Sequence, residues 1–135
     1  MANSVDTIEG VGPKLAEKLA EAGIKNTDQL LEAAGAPAGR KALAESTGIS
    51  GKLILKFANH ADLMRIKGIG GEYAELLEAA GVDTVKELRH RNAENLSAKM
   101  GEVNEEKSLT RRVPSAKVVQ GWVDEAKETE PAISH

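Results

Sequence analysis

The stretch Val5–Gly23 constrains the fold more than any other part of the chain, and it reads VDTIEGVGPKLAEKLAEAG. In it, Gly10 and Gly12 flank one apolar residue, and Pro13 follows directly. Glycine permits a tight turn and close approach of another molecule to the backbone. Proline suits the first position of a helix because its missing N–H costs nothing there. The sequence therefore predicts a sharp turn that starts a helix whose first amide N–H groups point outward, an arrangement that attracts phosphate and other anions.

The same pattern returns in Leu63–Gly81, which reads LMRIKGIGGEYAELLEAAG. The matched residues stand 58 positions apart, and they are Ile8 and Ile66, Gly10 and Gly68, Gly12 and Gly70, Ala16 and Ala74, and Gly23 and Gly81. A single glycine pattern of this kind is a weak signal. Two copies at one offset, each followed by a helical pattern and a closing glycine, predict an internal repeat.

The composition predicts an all-α fold. Apolar residues make up 41% of the 135 residues, and alanine and leucine dominate them, with only three aromatic side chains. Strand-forming residues are sparse, and no stretch alternates between polar and apolar residues for long. The chain has no cysteine, which excludes disulfides and thiolate metal sites.

Charge and hydropathy restrict the class of function. No apolar run approaches the roughly 20 residues that span a bilayer, and the first ten residues do not resemble a signal peptide, so we expect a cytoplasmic protein without a membrane partner. The formal net charge is −3. Because lysine and arginine supply most of the affinity for phosphate, any role in nucleic-acid binding must come from a local patch.

We expect about ten short helices in two five-helix units, over residues 1–61 and 62–128, followed by a frayed polar tail at 129–135. The residues expected to cap helices are Thr27, Ser50, Asp62, Thr84, Asn92 and Ser115. The charged segment Gly101–Pro114 is interpreted as an exposed loop. Phe57 aligns with Trp122 at an offset of 65, so this loop carries about seven more residues than its counterpart in the first unit.

The first turn, Ile8–Ala16, resembles the motif of the helix-hairpin-helix family, whose members bind DNA without sequence specificity. That motif is an apolar residue, any residue, Gly, an apolar residue, Gly, three residues and Ala, and Ile66–Ala74 fits it as well. Taken whole, roughly residues 5–127 resemble DUF4332, a bacterial family of uncharacterised domains. The stretch RIKGIGGEYAELLEAAGVDTVKEL and the later Pro-Ser…Trp-Val pattern carry that likeness.

The helix-hairpin-helix resemblance implies that backbone amides at each turn hold a DNA phosphate. With the nearby cations, the residues assigned to nucleic-acid backbone contact are Gly10, Gly12, Lys14, Leu15, Lys18, Arg65, Lys67, Gly68, Gly70 and Gly71. The resemblance also implies a possible monovalent cation on the turn carbonyls of Asp6, Ile8 and Val11, or of Met64, Ile66 and Ile69. No other cofactor is expected.

Two functions remain open. The first is a non-enzymatic module that binds the backbone of nucleic acid, DNA rather than RNA, without sequence specificity. The first turn is the stronger site, because Glu72, Glu75 and Glu78 follow the second. The alternative is a protein-interaction or scaffold module that has lost phosphate binding. Trp122 is interpreted as core, with a stacking platform as the alternative. The pair Arg111-Arg112 is interpreted as a solvated helix end, with contact to nucleic acid as the alternative. The three histidines have no spacing that suits a catalytic set or a metal site.

Overall fold

Helices form nearly all of the regular structure in the computed structural model, which describes residues 3–135. A short 3-10 turn at Val5–Thr7 precedes eight α-helices, which are α1 (Pro13–Glu21), α2 (Thr27–Ala34), α3 (Pro37–Thr47), α4 (Gly51–Leu63), α5 (Gly71–Ala79), α6 (Val85–Leu88), α7 (Ala93–Lys107) and α8 (Ala116–Lys127). The all-α prediction is therefore confirmed. The described part of the chain has eight α-helices instead of the expected ten or so, and the tandem helix-hairpin-helix arrangement remains a prediction.

Most of the helices have a hydrogen-bonded side-chain cap at the N-terminus. Ser50, Thr84, Asn92 and Ser115 each accept a hydrogen bond from the amide three residues ahead, as predicted. The predicted cap at Thr27 is wrong, because Asn26 accepts from the amide of Gln29 at 2.8 Å and takes that place. Thr27 is buried instead, and its hydroxyl accepts a hydrogen bond from the amide of Asn3.

Asp62 does not begin a helix of its own, contrary to the prediction. Helix α4 continues to Leu63, so Asp62 lies in its last turn with only 1% of its surface exposed. Its Oδ2 atom accepts a hydrogen bond from the amide of Val85 at 2.8 Å. The carboxylate thus satisfies the first amide of α6, a helix 23 residues further along the chain.

The segment Gly101–Pro114 is only partly the exposed loop that was predicted. Helix α7 runs on to Lys107 and ends at Ser108, which adopts a left-handed conformation with φ of 51°. Met100 and Val103 are buried on the inner face of this extension, whereas the glutamates of the same stretch are exposed. The charge run is therefore the solvated face of a helix, and the loop is confined to residues 108–115.

One continuous cluster of buried apolar side chains extends through both halves of the chain. Helix α4 packs against α2, α3 and α5, while α5 also contacts α7. Helix α8 then closes the second half by packing on α6 and α7. Phe57 in α4 and Trp122 in α8 are both almost fully buried, as the interpretation of Trp122 as a core residue requires.

The segment 129–135, expected to be frayed, lies against the first half of the chain. Ile133 is buried, and the amide of Ser134 donates to the carbonyl of Gly35 at 2.8 Å. Arg40, itself buried, donates to the carbonyls of Ala34 and Gly35 and also to that of Ser134 at 2.7 Å. These contacts hold the tail next to the end of α2.

Gly71 joins the two halves at another point. A side chain there would overlap the carbonyl oxygen of Thr7, so the start of α5 packs directly on the backbone that precedes the first glycine turn. Gly70, its neighbour, has open space around the position of a side chain. Gly70 is therefore an exposed residue of the turn, whereas Gly71 allows the backbones of the two halves to pack closely.

We predict that Gly71→Ala lowers the free energy of unfolding by about 1–3 kcal/mol, because the added methyl group forces the backbone contact with Thr7 apart. Gly70→Ala is the matched control. It meets no neighbouring atom and has a φ of −95°, so its cost stays below about 1 kcal/mol. Urea denaturation followed by circular dichroism measures both. Equal stabilities of the two variants would contradict the packing role of Gly71.

Candidate nucleic-acid interface

The two glycine turns have the same backbone geometry. Gly10 and Gly68 have φ values of 93° and 94°, in the left-handed region that favours glycine. Gly12 and Gly70 are extended residues at the N-termini of α1 and α5, with φ of −86° and −95°. A hydrogen bond of 3.1 Å closes each turn, from Val11 to Ile8 in the first and from Ile69 to Ile66 in the second.

A buried aromatic ring packs against each turn. The ring of Phe57 lies 3.4 Å from the place where a side chain on Gly10 would begin, and the indole nitrogen of Trp122 lies 3.1 Å from that place on Gly68. Trp122 also packs against Tyr73, with the ring centroids 5.4 Å apart. Both glycines therefore combine a left-handed backbone with close contact to a buried ring.

The first turn leaves its amides open. The amide groups of Gly12, Lys14 and Leu15 donate to no acceptor within residues 3–135. Gly12 and Lys14 are exposed, and no atom approaches the open side of Gly12. The side chains of Lys14 and Lys18 are exposed too, and neither has a carboxylate within 4.0 Å among the described residues. These groups form a small surface of unpaired hydrogen-bond donors and positive charge.

The second turn is less open. Gly68 and Gly70 are exposed, as expected of a contact site, but Gly71 packs on Thr7. The amide of Lys67 donates to the carboxylate of Glu125, with distances of 3.2 and 3.3 Å to its two oxygens. A negative charge of the protein itself thus already lies on this turn, although the residue Lys67 is exposed.

Arg65 belongs to the structural framework and not to an open surface. Its Nε donates to Oδ1 of Asp62 at 3.0 Å, and its Nη2 donates to the same oxygen and to the carbonyl of Glu130 at 2.7 Å. The side chain consequently connects α4 to the C-terminal segment. Of the residues assigned to backbone contact, three have groups that are already used within the protein, and these are the side chain of Arg65, the amide of Lys67 and the packed backbone of Gly71.

A groove of about 560 Å³ lies beside the second turn. Its lining residues are Glu9, Gly68, Gly70, Gly71, Glu72, Tyr73, Thr110, Arg111 and Arg112. The pair Arg111-Arg112, interpreted from the sequence as a solvated surface, therefore belongs to the same groove as the glycines. The arginine pair and the extra residues of the second half both marked this loop in the sequence, but neither indicated which surface the loop would reach.

The turn carbonyls are partly used. Those of Ile8 and Ile66 each accept the hydrogen bond that closes the turn. Within residues 3–135, no three histidine or acidic side chains converge as a metal site would require. Binding of a monovalent cation to the turn carbonyls remains a prediction.

A protein-family model matches most of the chain. The model of the family described as "Domain of unknown function (DUF4332)" matches residues 9–129. The chain belongs to the DUF4332 family. The DUF4332 match includes both glycine turns and every α-helix, as the resemblance in the sequence predicted. Comparisons with curated proteins and with solved structures gave no match. Across residues 3–135 of this DUF4332 protein, no helix has the length and apolar character needed to cross a membrane.

We predict that Asp62→Ala lowers the free energy of unfolding by about 3 kcal/mol, because it removes a buried charge partner of Arg65 and the acceptor of the Val85 amide. Glu102→Ala provides the control. Glu102 pairs with Lys99 at 3.9 Å on an exposed surface, so its loss changes stability by less than about 1 kcal/mol. Chemical denaturation of both variants tests the difference, and a small effect of Asp62→Ala would show that the buried pair contributes little.

Proposed function

We propose that this DUF4332 protein is a non-enzymatic module that binds the backbone of nucleic acid, DNA in preference to RNA, without sequence specificity. The observation that supports the proposal is the first glycine turn, where three amides and the side chains of Lys14 and Lys18 lack partners among residues 3–135. This is the helix-hairpin-helix mode of contact that the sequence suggested.

The chemistry of the turn suits a phosphate group. Outward amides at the start of α1 present several donors to one anionic oxygen, and the helix dipole adds a partial positive charge there. Lys14 follows in the first turn of α1, and Lys18 lies one helical turn beyond it. Contacts of this kind position a protein on the nucleic-acid backbone and read no base sequence, which is the reason for the proposed lack of specificity.

The net charge of −3 sets the expected strength of binding. The net negative charge of the protein repels a polyanion, so the affinity must come from the local cations and amides. Such binding is weak and depends strongly on salt, because each phosphate that is neutralised releases counterions. Attachment through a second module or a partner would raise the effective affinity without any new contact.

A protein-interaction module is the second candidate. Leu53 and Val118 are large apolar side chains with 40% and 46% of their surfaces exposed, and they occupy matching positions near the starts of α4 and α8. The glutamates of α5 also favour a partner other than a polyanion. Single exposed apolar residues are common on monomeric proteins, so this observation weighs less than the open amides of the first turn.

We predict that a fluorescently labelled DNA duplex binds the protein at low salt, and that log K falls linearly with log salt concentration. Lys14→Glu should weaken binding about tenfold, equivalent to about 1.4 kcal/mol, and reduce the salt slope by about one unit. Fluorescence anisotropy across a salt series measures both quantities. Labelled single-stranded DNA and RNA duplexes of equal length establish the preference.

Lys86→Glu is the matched control, because Lys86 is exposed on α6 and lies outside both turns. An equal loss of affinity in the two variants would show that only net charge matters and would overturn the assignment of the first turn. Absence of binding to every nucleic acid at low salt would favour the protein-interaction function. Substitution of Leu53 and Val118 by serine would then test that function in a pull-down from the native cell.

A further inference from the structure

Side chains of α7 form hydrogen bonds to the loop that follows this helix. The side-chain amide of Asn104 makes two hydrogen bonds to Thr110, donating to its carbonyl at 3.0 Å and accepting from its amide at 2.9 Å. Further along, the hydroxyl of Ser97 donates to the carbonyl of Pro114 at 2.8 Å. Both ends of the loop are therefore fixed to α7.

Helix α5 holds the middle of the loop. The hydroxyl of Tyr73 donates to the carbonyl of Arg112 at 3.0 Å, and the hydroxyl of Thr110 donates to the same oxygen at 3.0 Å. Tyr73 stands in the first turn of α5, directly after the second glycine turn. The contact consequently fixes the backbone of the two arginines beside that turn, although their side chains remain exposed.

The two arginines form one side of the groove that Gly68 and Gly70 also line. Glu9 and Glu72 line the same groove, yet none of the four ion pairs found in residues 3–135 includes Arg111 or Arg112. Their guanidinium groups therefore keep their donors available. Guanidinium is the side chain best suited to phosphate, because its planar fork matches two phosphate oxygens at once.

The two halves of the chain differ at this point. In the first half, α3 and α4 are joined by the short link Gly48–Ser50, and the helix that follows the glycine turn carries Lys14 and Lys18. In the second half the equivalent link is longer, and α5 has Glu72 at the position where α1 has Lys14. The longer link brings to the second turn the positive charge that α5 lacks.

We propose that Arg111 and Arg112 form a second contact with duplex DNA, with a backbone phosphate in the groove between their loop and the second glycine turn. This inference rests on the proposed function, and it adds a site that the first turn does not supply. Glu9 and Glu72 oppose the phosphate by like-charge repulsion, so the two arginines offset them and the groove binds weakly. Open amides near Gly70 give the phosphate further donors.

The test compares Arg111→Gln/Arg112→Gln with Lys41→Gln/Lys86→Gln, a pair that removes the same charge from exposed positions outside the groove. Anisotropy with labelled duplex DNA should show a loss of affinity of about tenfold or more for the arginine pair, and a salt slope lower by about one to two units. Glu72→Gln should raise affinity a few-fold, because it removes a repulsive charge from the groove.

Lys14→Glu, measured in parallel, separates this inference from the proposed function. If Lys14→Glu weakens binding and the arginine pair behaves like the lysine control, the second contact is overturned and the first turn stands. If the arginine pair weakens binding and Lys14→Glu does not, the second contact stands and the first turn is overturned.

Two further results would overturn the proposed contact with DNA. One is the absence of duplex binding by the unaltered protein at low salt. The other is a result in which the Arg111→Gln/Arg112→Gln variant binds RNA or an acidic peptide less tightly than the unaltered protein but binds duplex DNA equally well. Thermal unfolding of each variant shows that a change in affinity does not come from a change in folding.

Discussion

The packing of each glycine turn on one buried aromatic ring is the constraint on which this structure depends. Phe57 lies beneath Gly10 and Trp122 beneath Gly68, and in both turns the glycine has a left-handed backbone. A side chain at either position would meet the ring as well as an unfavourable φ. The rings belong to α4 and α8, so these helices determine where α1 and α5 begin and which way their first amides point.

Two turns with one backbone geometry have different electrostatic surroundings. The first is bordered by Lys14 and Lys18, which pair with no carboxylate among residues 3–135. The second has the carboxylate of Glu125 on the amide of Lys67, and Arg65, which precedes it in the sequence, is paired with Asp62. Backbone shape alone is therefore a poor guide to anion binding. The charges around the two turns differ although their backbone geometry is the same, and these charges govern the attraction of each turn for an anion.

The sequence predicted the features of this fold that depend on neighbouring residues. Four of the caps were correct, because a capping side chain and its amide lie three residues apart. The all-α class and the family were also predicted correctly. The extension of α7 was missed because a run of charged residues is equally typical of a loop and of the exposed face of a helix.

Features that depend on distant residues were not predictable in this way. The role of Asp62 requires Val85, and the tail requires Gly35 and Arg40. In the same way, the position of Arg111 and Arg112 beside the second turn follows from the path of α7 and from the hydroxyl of Tyr73. The glycines and the lysines of α1 were therefore named from the sequence, and Arg111-Arg112 were named as a less favoured contact, whereas their position beside the second turn emerged only from the tertiary structure.

The contact between Arg40 and Ser134 has a consequence for synthesis on the ribosome. The two residues are 94 positions apart, and the side chain of Arg40, which is buried, donates to the carbonyl of Ser134. Until Ser134 has been translated, the guanidinium group of Arg40 and the carbonyl of Gly35 lack the hydrogen-bond partners that Ser134 supplies. The first half consequently leaves the exit tunnel before the contacts at the end of α2 are complete, and residues 129–135 complete them after they have been translated.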